Sequence, residues 1–376
     1  MNLNECREKL DVIDKQIVDL YAQRMDVVKE VAKDKIATGK KIFDAEREKK
    51  KIDSVRELVE EDYYKTGVEE LFQLLMSSSR KLQYKMLSDN GINGRVPFIA
   101  IDDLDRENNT RVVFQGTEGS YSQAALKAYF GENIKSFSVE TFRDAMISIA
   151  EGAADYGVLP IENSSAGIVS ENYDLLVEFE NYIVAEQIIK IDNCLLGLPG
   201  TKEEDIKVVY SHPQALMQSA RYLDEHREMQ KVSVLNTAIA AKKVVEDNDP
   251  TAAAIAGAHA ASIYGLEIIK EAINHNKTNS TRFIIVTNQK LYRKDAKKVS
   301  ICFELPHRSG SLYRILSHFI YNNLNMNRIE SRPIEERPWE YRFFVDFDGN
   351  LSESSVKNAI RGIMDESKNL RILGNY

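Results

Sequence analysis

The sequence has few cysteines and no long apolar run. Its three cysteines, Cys6, Cys194 and Cys302, lie far apart and show no CxxC spacing. This argues against a zinc site or a disulfide framework and fits a reducing compartment. No segment approaches the ~20 consecutive apolar residues of a membrane span. The N-terminus is charged within its first ten residues and has no apolar run, so no signal peptide is expected. We therefore expect a cytoplasmic protein with no membrane segment.

Positive charge is in the minority, with 50 Lys and Arg against 58 Asp and Glu and a net charge of -8. Such a chain, with no Lys/Arg-rich tail, repels nucleic acid, so no nucleic-acid partner is expected. An anionic substrate would need a local basic pocket. The chain is 43% hydrophobic and 29% charged, as in a globular protein, and 376 residues are too many for one typical core. Two or three domains are expected.

The first part of the chain has a helical apolar period and no strand pattern. No Pro or Gly interrupts residues 3 to 37, which predicts one long helix, and further helices are predicted from about Asp44 to Glu61 and from Val68 to Leu87. The apolar stripe of the first helix consists of Leu3, Cys6, Leu10, Ile13, Ile17, Leu20, Val27 and Val31. This stripe is too narrow to stabilise the helix alone, so we expect a second copy of the chain to complete the helical unit.

Polar side chains interrupt the apolar faces of these helices. Arg24 takes the heptad position that Leu3 and Ile17 also occupy, and Lys35 returns to within about 20° of the same face. The other members of this polar set are Asp44, Arg47, Glu48, Ser79 and Gln83. Each residue alone could belong to a buried ion-pair network or reach solvent, but together they favour a polar cavity of positive character.

Residues 89–110 mix Gly, Pro, Asn and acidic residues without a clear period, which indicates a linker or a partly ordered connection. From Arg111 to about residue 290, short apolar runs such as Tyr156–Pro160 alternate with helical stretches such as Phe142–Glu151. This alternation predicts an α/β domain with mostly parallel strands.

Within that domain, the stretch GVLPIENSSAG at residues 157–167 ends a buried-strand pattern in a run of polar side chains. These are Glu162, Asn163, Ser164 and Ser165, and Gly167 closes the run. α/β proteins present small polar ligands at such strand ends, although an ordinary polar turn has the same composition. The stretch is therefore a candidate ligand site.

The C-terminal segment from about residue 297 follows a different order of elements. Strands are predicted at Val299–Leu305, Asn325–Pro333, Tyr341–Phe347 and Arg371–Leu373, and helices at Gly310–Asn322 and Ser354–Glu366. This βαββαβ order is the ferredoxin-like arrangement of an α+β domain.

The N-terminal motifs CREKLDVID, LYAQR, VAKDK, DAEREKK and FQLLMSSSRKLQ resemble the AroQ-type chorismate mutases, all-helical intertwined dimers with shared active sites. Their reaction is a pericyclic rearrangement that needs no nucleophile. The protein must hold a flexible dianion in a compact conformer and stabilise charge on the ether oxygen. Arg suits the two carboxylates because its fork pairs with them in a bidentate way.

This resemblance implies three tasks for the polar residues. The carboxylates of chorismate would be held by Arg7, reaching in from the other subunit, and by Arg24, Arg47 and Ser79. The ether oxygen would be hydrogen-bonded by Lys35 and Gln83. The ring hydroxyl would be held by Glu48, with Asp44 beside it.

Five motifs in the central domain occur in the order seen in prephenate dehydratases. They are QGTEGSYSQAA, ENS, SHPQALMQ, NTAIAA and NSTRF. The resemblance implies two α/β lobes similar to those of periplasmic binding proteins, with the active site in the cleft between them. Prephenate loses its ring hydroxyl and its ring carboxylate together, giving phenylpyruvate, water and CO2, so the leaving hydroxyl needs a hydrogen-bond or proton donor.

We expect Thr281 to assist the leaving hydroxyl. Anion contacts are expected from Arg282 and from backbone amides near Ser120 and Ser164. The rest of the substrate site would include Glu162 and Asn163, at the floor of the cleft, and Phe283. His212 could act as an acid or cap the next helix. The family more often has an acid where this chain has His275.

Two C-terminal motifs, HRSGSL from His307 and NRIESRP from Asn327, resemble the phenylalanine-sensing ACT domain of these enzymes. A helix that begins near Gly310 offers free amides to an amino-acid carboxylate. The effector contacts that the resemblance implies are Gly310, Ser311, Leu312, Glu330, Ser331 and Arg332. The family's GALV is Gly-Ser-Leu-Tyr here, which changes the polarity and volume of the pocket. A purely structural dimerisation module is the alternative.

Nearly the whole chain thus resembles the bifunctional chorismate mutase–prephenate dehydratases, with domains at residues 1–88, 111–290 and 297–376 and a linker at 89–110. The resemblance implies chorismate and prephenate as substrates, inhibition by phenylalanine, no metal or organic cofactor, and a homodimer or a dimer of dimers. Two alternatives stand beside it: a ligand sensor without chemistry, and a dehydratase whose helical domain only dimerises the chain. The presence of Thr281 and of the mutase residues argues against the sensor.

Overall fold

The computed structural model describes residues 2–92, 97–106, 109–307, 310–335 and 337–376, and the chain divides into two compact units. One unit combines Met1–Pro97 with Ala296–Ile372, and the other combines Phe98–Asp295 with Leu373–Tyr376. The N-terminal and C-terminal segments, which the sequence predicts as separate domains, therefore belong to one compact unit.

Three helices form the N-terminal part of the first unit: α1 (Leu3–Thr38), α2 (Ala45–Arg56) and α3 (Asp62–Asp89). The side chains of Asn2 and Asp44 cap α1 and α2 by accepting a hydrogen bond from a backbone N–H in the first turn. The predicted helices are confirmed, although α2 ends earlier than predicted and α3 begins earlier.

The apolar stripe of α1 is exposed along most of the helix. Leu10 is 56% exposed, Ile17 54% and Leu20 63%, whereas the buried residues of this helix are Val28 and Ala32 near its C-terminal end. Exposed apolar surface costs about 25 cal/mol per Å² relative to burial. Within the described chain, this face of α1 therefore lacks the packing partner that an amphipathic helix requires.

The second unit contains two mixed sheets. The strands of the first sheet are β2 (Arg111–Gln115), β3 (Lys135–Val139), β4 (Tyr156–Asn163), β5 (Gly167–Ile168), β6 (Tyr182–Lys190) and β12 (Ser280–Thr287). Their order is β6-β12-β4-β2-β3, with β5 beside β4. Its helices are α4 (Tyr121–Phe130), α5 (Phe142–Ala150) and α6 (Ser170–Glu178). Side chains of β2, β4 and β12 such as Phe114, Val158 and Phe283 form its core.

The strands of the second sheet are β7 (Asn193–Gly197), β8 (Val208–Ser211), β9 (Gln230–Ser233), β10 (Ala252–Gly257) and β11 (Glu267–Lys270). Their order is β11-β7-β10-β8-β9. Its helices are α7 (Pro213–Gln218), α8 (Ala220–Glu225), α9 (Thr237–Asp247) and α10 (Ala258–Tyr264). The core of this sheet includes Leu195, Val209 and Ile255.

The prediction of mostly parallel strands is wrong. Strand β12 runs antiparallel to both of its neighbours, β4 and β6, and β7 runs antiparallel to β10 and β11. Among the strands of these two sheets, the parallel pairs are β2 with β3 and β4, and β8 with β9 and β10. The direction of a strand depends on which distant segments pair with it, and an apolar run in the sequence does not indicate whether that pairing is parallel or antiparallel.

Part of the predicted connection at residues 89–110 belongs to the second unit. Strand β1 (Ile99–Ile101) pairs in parallel with β13 (Leu291–Arg293), and Leu104 is buried against the core of the first sheet. Residues 93–96 and 107–108 of the same stretch lie outside the described residues.

The C-terminal segment has four strands, β14 (Lys298–Glu304), β15 (Met326–Ile334), β16 (Arg337–Asp348) and β17 (Lys368–Asn375), and two helices, α11 (Ser311–Tyr321) and α12 (Ser354–Glu366). The strand order β15-β16-β14-β17 confirms the predicted ferredoxin-like arrangement. Glu304 is buried in this segment and accepts hydrogen bonds from Arg337, Arg342 and Asn369, at 2.6, 2.7 and 2.9 Å.

Helix α3 packs against both helices of the C-terminal segment through polar contacts. The hydroxyl oxygens of Ser78 and Tyr321 lie 2.9 Å apart, and Lys81 Nζ donates to Ser317 Oγ at 3.0 Å. Tyr84 donates its hydroxyl to a carboxylate oxygen of Asp365. Among all the helices that the structure describes, none has both the length and the apolarity that crossing a bilayer requires.

Two candidate active sites

A cavity of about 490 Å³ lies among helices α1, α2 and α3. The predicted chorismate-binding residues that line it are Arg24, Lys35, Asp44, Arg47, Glu48, Ser79 and Gln83. Its other charged lining residues are Lys50, Lys51 and Arg80. Six basic against two acidic side chains give the cavity a positive character, which suits a ligand with two carboxylates.

Arg24 is held at the wall of this cavity by α3. Its Nη1 atom donates to Ser79 Oγ and, at 3.1 Å, to the backbone oxygen of Leu75. Ser79 is buried and donates its own hydroxyl to the same Leu75 oxygen at 2.6 Å. Because a guanidinium has five N–H donors, these bonds fix Arg24 while leaving donors for a carboxylate.

Lys35 and Gln83 each make one bond to the backbone. Lys35 Nζ donates to the oxygen of Ile42 at 2.6 Å, and Gln83 Nε2 donates to the oxygen of Ser79 at 3.2 Å. An ammonium has three N–H donors and an amide two, so each side chain keeps a donor for a ligand. Burial, together with the charge of Arg47, lowers the pKa of Lys35, although Asp44 and Glu48 act in the opposite direction.

Arg80 is a residue of this cavity that the sequence analysis does not select. It is buried, it lines the cavity, and its Nη1 donates to both carboxylate oxygens of Glu48. Within SSSRKLQ, no local pattern distinguishes Arg80 from a surface arginine. Glu48 is therefore already ion-paired with Arg80. If Glu48 also binds the ring hydroxyl of chorismate, as predicted, it must do so while it keeps this ion pair.

Arg7 does not line the cavity of its own chain. It is exposed on α1, seventeen residues before Arg24, and this is about 26 Å along an α-helix. No side chain bridges that distance. A role for Arg7 at a chorismate site therefore requires a second chain.

The second cavity, of about 260 Å³, lies in the second unit and is lined by residues from all five central motifs. The predicted residues that line it are Ser120, Asn163, His212, Thr281 and Phe283. Other polar lining residues are Gln115, Tyr121, Ser122, Asn193, Gln214, Gln218, Asn236 and Thr237. Motifs that are far apart in sequence thus meet around one small polar space.

Thr281 is oriented in this cavity by Asn163. The two residues lie opposite each other on β12 and β4, and Asn163 Nδ2 donates to Thr281 Oγ1 at 2.9 Å. The backbone N–H groups of Ser165 and Ala166 donate to Asn163 Oδ1 at 3.0 and 2.9 Å, so the amide nitrogen must face Thr281. Since the threonine oxygen accepts this bond, its own hydrogen can be donated to a ligand.

Besides the short helix α7, helices α4 and α9 begin at this cavity. Ser120 caps α4 and Asn236 caps α9, and the next residues, Tyr121 and Thr237, also line the space. The N-terminus of a helix carries free N–H groups and partial positive charge. This end of the cavity therefore favours a carboxylate.

Asn193 is a further residue that the sequence analysis does not select. It is 1% exposed and lines the cavity, and its Oδ1 accepts a hydrogen bond from the Tyr121 hydroxyl at 3.3 Å. Within the described parts of the chain, its Nδ2 has no hydrogen-bond partner. A buried donor without a partner is costly, and a ligand in the cavity can supply the missing acceptor.

His212 caps helix α7, which is one of the two roles predicted for it. Its Nδ1 accepts a hydrogen bond from the backbone N–H of Gln214 at 3.2 Å. Burial lowers the pKa of His212, which favours the neutral ring. A neutral imidazole that accepts at Nδ1 carries its proton on Nε2 and can donate from there.

Three residues expected at this site do not line the cavity: Glu162, Ser164 and Arg282. Arg282 does not line the cavity; it pairs with Glu162 and Glu186, with nitrogen–oxygen distances of 3.3 Å to each. Successive residues of a strand point to opposite faces, so Arg282 and Thr281 cannot both face one cavity. Ser164 instead joins β4 to β12, because its Oγ accepts from the backbone N–H of Ser280 at 3.0 Å.

The predicted effector residues of the C-terminal segment separate into two groups. Gly310 has φ +74° and directly precedes α11, and Ser311 and Leu312 line a hollow of about 150 Å³ with Trp339 and Tyr341. Glu330, Ser331 and Arg332 lie on strand β15 and do not line that hollow. Residues 308 and 309 of the HRSGSL motif lie outside the described residues.

Two family models match the chain: chorismate mutase type II over residues 6–84 and prephenate dehydratase over residues 112–291. A bifunctional chorismate mutase/prephenate dehydratase of Buchnera aphidicola subsp. Schizaphis graminum is 32% identical over 381 residues, covering 100% of this chain and 96% of the relative. The enzyme of the same name from Escherichia coli (strain K12) is 29% identical over 378 residues, covering 98% and 95%. A crystal structure of prephenate dehydratase from Arthrobacter aurescens in complex with L-Phe has a TM-score of 0.66 and 32% identity, covering 71% of this chain and 89% of that one.

The two family models define an enzyme with an isomerase domain and a lyase domain on one chain. The match to full-length relatives completes the identification: the chain belongs to the bifunctional chorismate mutase/prephenate dehydratases. The predicted family and both predicted activities are confirmed. The alternative of a ligand sensor without chemistry is wrong.

Proposed function

We propose that the cavity among α1, α2 and α3 is the site at which chorismate rearranges to prephenate. Arg24 and Arg47 hold the carboxylates, Lys35 and Gln83 stabilise the charge that develops on the ether oxygen, and Glu48 accepts the ring hydroxyl. The observation that carries this proposal is Arg24 itself, a guanidinium fixed by Ser79 in a cavity of positive character. Fixed donors cost no reorganisation when the C–O bond lengthens, and this is how such a site lowers the barrier.

We propose further that two chains complete each mutase site. The exposed apolar stripe of α1 supports this, since a second α1 can bury it, and so does Arg7, which lies too far away to serve its own chain. Asp44 supports the site from its rim, where its carboxylate caps α2. A homodimer is the smallest assembly that satisfies these features, and a dimer of dimers also satisfies them.

We propose that the cavity of the second unit is the prephenate site and that Thr281 assists the leaving hydroxyl. Asn163 holds the Thr281 oxygen as an acceptor, so that the threonine hydrogen can be donated to the departing oxygen. The ring carboxylate leaves as CO2, its bonding electrons complete the aromatic ring, and the hydroxyl takes up one proton and leaves as water. A positioned donor of this kind accelerates such a step by roughly 10²–10⁴-fold.

The pyruvyl carboxylate of prephenate needs an anchor other than Arg282, which is already neutralised by two carboxylates. We propose that the N-termini of α4 and α9 and the buried amide of Asn193 provide it. The Nε2–H of His212 is a further donor for the substrate. Phe283 supplies an apolar wall for the ring.

We propose that the C-terminal segment is an ACT domain that binds phenylalanine and inhibits the enzyme. Gly310 and the first turn of α11 offer free amides to the carboxylate, and Ser311 and Leu312 line a hollow beside them. The complex of the Arthrobacter aurescens relative with L-Phe also supports this ligand. Glu330, Ser331 and Arg332 lie on strand β15, at an edge of the sheet, and would reach the effector from a second copy of the segment.

We expect the enzyme to act in the cytoplasm and without a metal or organic cofactor. Cys6, Cys194 and Cys302 are free thiols, which fits a reducing compartment. Neither a pericyclic rearrangement nor a decarboxylative dehydration needs redox chemistry or an electron sink.

The decisive experiment supplies purified protein with chorismate alone and follows phenylpyruvate, with and without phenylalanine. We expect phenylpyruvate to form faster than in a protein-free control, and phenylalanine to suppress its formation. If prephenate accumulates, the proposed dehydratase site fails while the mutase site stands. If phenylalanine has no effect, the proposed effector role fails, and the C-terminal segment is structural.

Lys35 should set the alkaline limit of the mutase reaction. Burial and the charge of Arg47 lower its pKa, so Lys35 loses its proton at a lower pH than an ordinary lysine does. The mutase kcat/KM should therefore fall as the pH rises through that lowered pKa. Lys35→Arg, which stays protonated, should move this limb to higher pH, and the dehydratase profile with prephenate as substrate serves as the control. An alkaline limb that is unchanged in the Arg variant would exclude Lys35 as its source.

A further inference from the structure

Arg80 connects the chorismate cavity to the C-terminal segment. Its side chain is 5% exposed; Nη1 donates to Glu48 on α2, and Nη2 donates to Oε1 of Glu366 on α12 at 2.6 Å. The ring of Phe43 lies below the guanidinium, 5.1 Å from ring centroid to Cζ. One buried cation thus joins two carboxylates that are separated by more than three hundred residues.

Glu366 is itself held from a second helix of the C-terminal segment. Its side chain is 7% exposed, and Oε1 lies 3.0 Å from Nε2 of His318 on α11. Burial alone would raise the pKa of Glu366, but the hydrogen bond of His318 and the charge of Arg80 outweigh it and lower the pKa. Glu366 therefore remains ionised and keeps Arg80 in place.

Glu48 and Arg80 also separate two cavities. Both residues line the chorismate cavity, and both line a second cavity of about 390 Å³ that Pro306, Arg314 and Asp365 of the C-terminal segment close on its far side. The carboxylate of Glu48 is accordingly not anchored by the helical segment alone. Its orientation depends on a cation that has its other partner in the C-terminal segment.

We propose that Arg80 is a positioning residue for the mutase reaction, which holds Glu48 in the orientation that accepts the ring hydroxyl of chorismate, and that Glu366 of the C-terminal segment anchors Arg80. This inference rests on the proposed contact between Glu48 and chorismate. Arg80 acts through Glu48 and does not touch the substrate. The mutase site of this chain is therefore built in part by a segment that starts more than two hundred residues later.

Arg80 should matter for chorismate binding because the substrate carries two negative charges. A paired carboxylate still has lone pairs for a hydroxyl donor, while the guanidinium cancels its repulsion of a dianion. Without Arg80, Glu48 is free to turn into the cavity with an uncompensated charge close to the carboxylates of chorismate. Binding of chorismate should suffer more than the rate of the bound complex, so KM should rise more than kcat falls.

The test measures mutase kcat and KM in Arg80→Met, Glu366→Gln and Glu48→Gln, with dehydratase constants on prephenate from the same preparations. We expect Arg80→Met to raise the KM for chorismate by about tenfold or more. Glu366→Gln should raise it by a smaller factor, since Arg80 keeps one partner. Dehydratase constants should stay within about twofold, because the three substituted residues belong to the other compact unit.

Two further variants make the test specific. In Arg80→Met/Glu48→Gln, the Arg80 substitution should add nothing to the effect of Glu48→Gln, because a residue that acts through another is not additive with it. Lys81→Met is the matched control: Lys81 is the next residue of α3 and contacts Ser317 of the C-terminal segment, but it does not contact Glu48. It should leave the KM for chorismate unchanged.

The outcomes distinguish the proposed contact of Glu48 with chorismate from the positioning role of Arg80. If Glu48→Gln leaves the mutase constants unchanged, the proposed contact of Glu48 fails and the inference fails with it. If Glu48→Gln changes them and Arg80→Met does not, or if the two effects add, only the positioning role of Arg80 is overturned. If Arg80→Met does not fold, Glu366→Gln with unchanged mutase constants overturns the role of the C-terminal segment.

Discussion

Thr281→Val will nearly abolish the formation of phenylpyruvate from prephenate and leave the consumption of chorismate at its wild-type rate. Valine keeps the β-branched shape that suits β12 but removes the hydroxyl that Asn163 orients in the second cavity. The leaving oxygen of prephenate then lacks its donor, and kcat should fall by roughly a hundredfold or more. The measurement is steady-state dehydratase kinetics with prephenate, alongside a mutase assay of the same preparation.

Two variants of the same strand sharpen this result. Thr281→Ser keeps the hydroxyl and should retain most of the activity. Ser280→Ala removes the hydroxyl of the preceding residue, which does not line the cavity and lies on the other face of β12, so kcat should change by less than about twofold. Dehydratase activity in Thr281→Val above a tenth of the wild-type value would contradict the assignment.

Arg24→Ala will remove the mutase activity while prephenate is still converted to phenylpyruvate. The guanidinium is the carboxylate-binding group that α3 fixes through Ser79, and its loss should lower the mutase kcat/KM by about 10²–10³-fold. Arg24→Lys should be impaired as well, because an ammonium keeps the charge but not the bidentate fork. Both activities are measured on one preparation, with chorismate and prephenate supplied separately.

The control for Arg24 is an arginine of the same helical segment outside the cavity. Arg56 closes α2 and pairs with Glu69 of α3 at the surface, so Arg56→Ala should leave both activities within about twofold. Unchanged mutase turnover in Arg24→Ala would instead refute the assignment of Arg24 to the mutase site. That outcome would leave the dehydratase site untouched.

The sequence predicts the contents of the two cavities better than the arrangement of the strands. Residues of the five central motifs line one space, and seven of the eight predicted mutase residues line the other. Motifs carry this information because each chemical task requires particular side chains at fixed spacing along a helix or a strand. No sequence motif indicates the direction of β12, because that direction is set by pairing with β4 and β6, which lie about ninety or more residues earlier in the chain.

The position of Arg282 follows from the alternation of side chains along a strand. Thr281, Arg282 and Phe283 are consecutive on β12, so the first and third share a face that the second cannot share. The position of Arg80, in contrast, cannot be predicted from the local sequence. In SSSRKLQ it looks like an ordinary surface arginine, and its burial follows from Glu366, a partner that no local pattern connects to it.

The hollow at the start of α11 has a spectroscopic consequence. Trp339, which lines it and is 78% exposed, is the single tryptophan among 376 residues. All indole fluorescence of the enzyme therefore originates at this one point of the C-terminal segment. Trp339 lines neither of the two proposed substrate cavities, so chorismate and prephenate would bind without a tryptophan beside them. A ligand that covers Trp339 would remove the indole ring from water and shift its fluorescence emission to shorter wavelength. The chain carries its own optical reporter of that hollow.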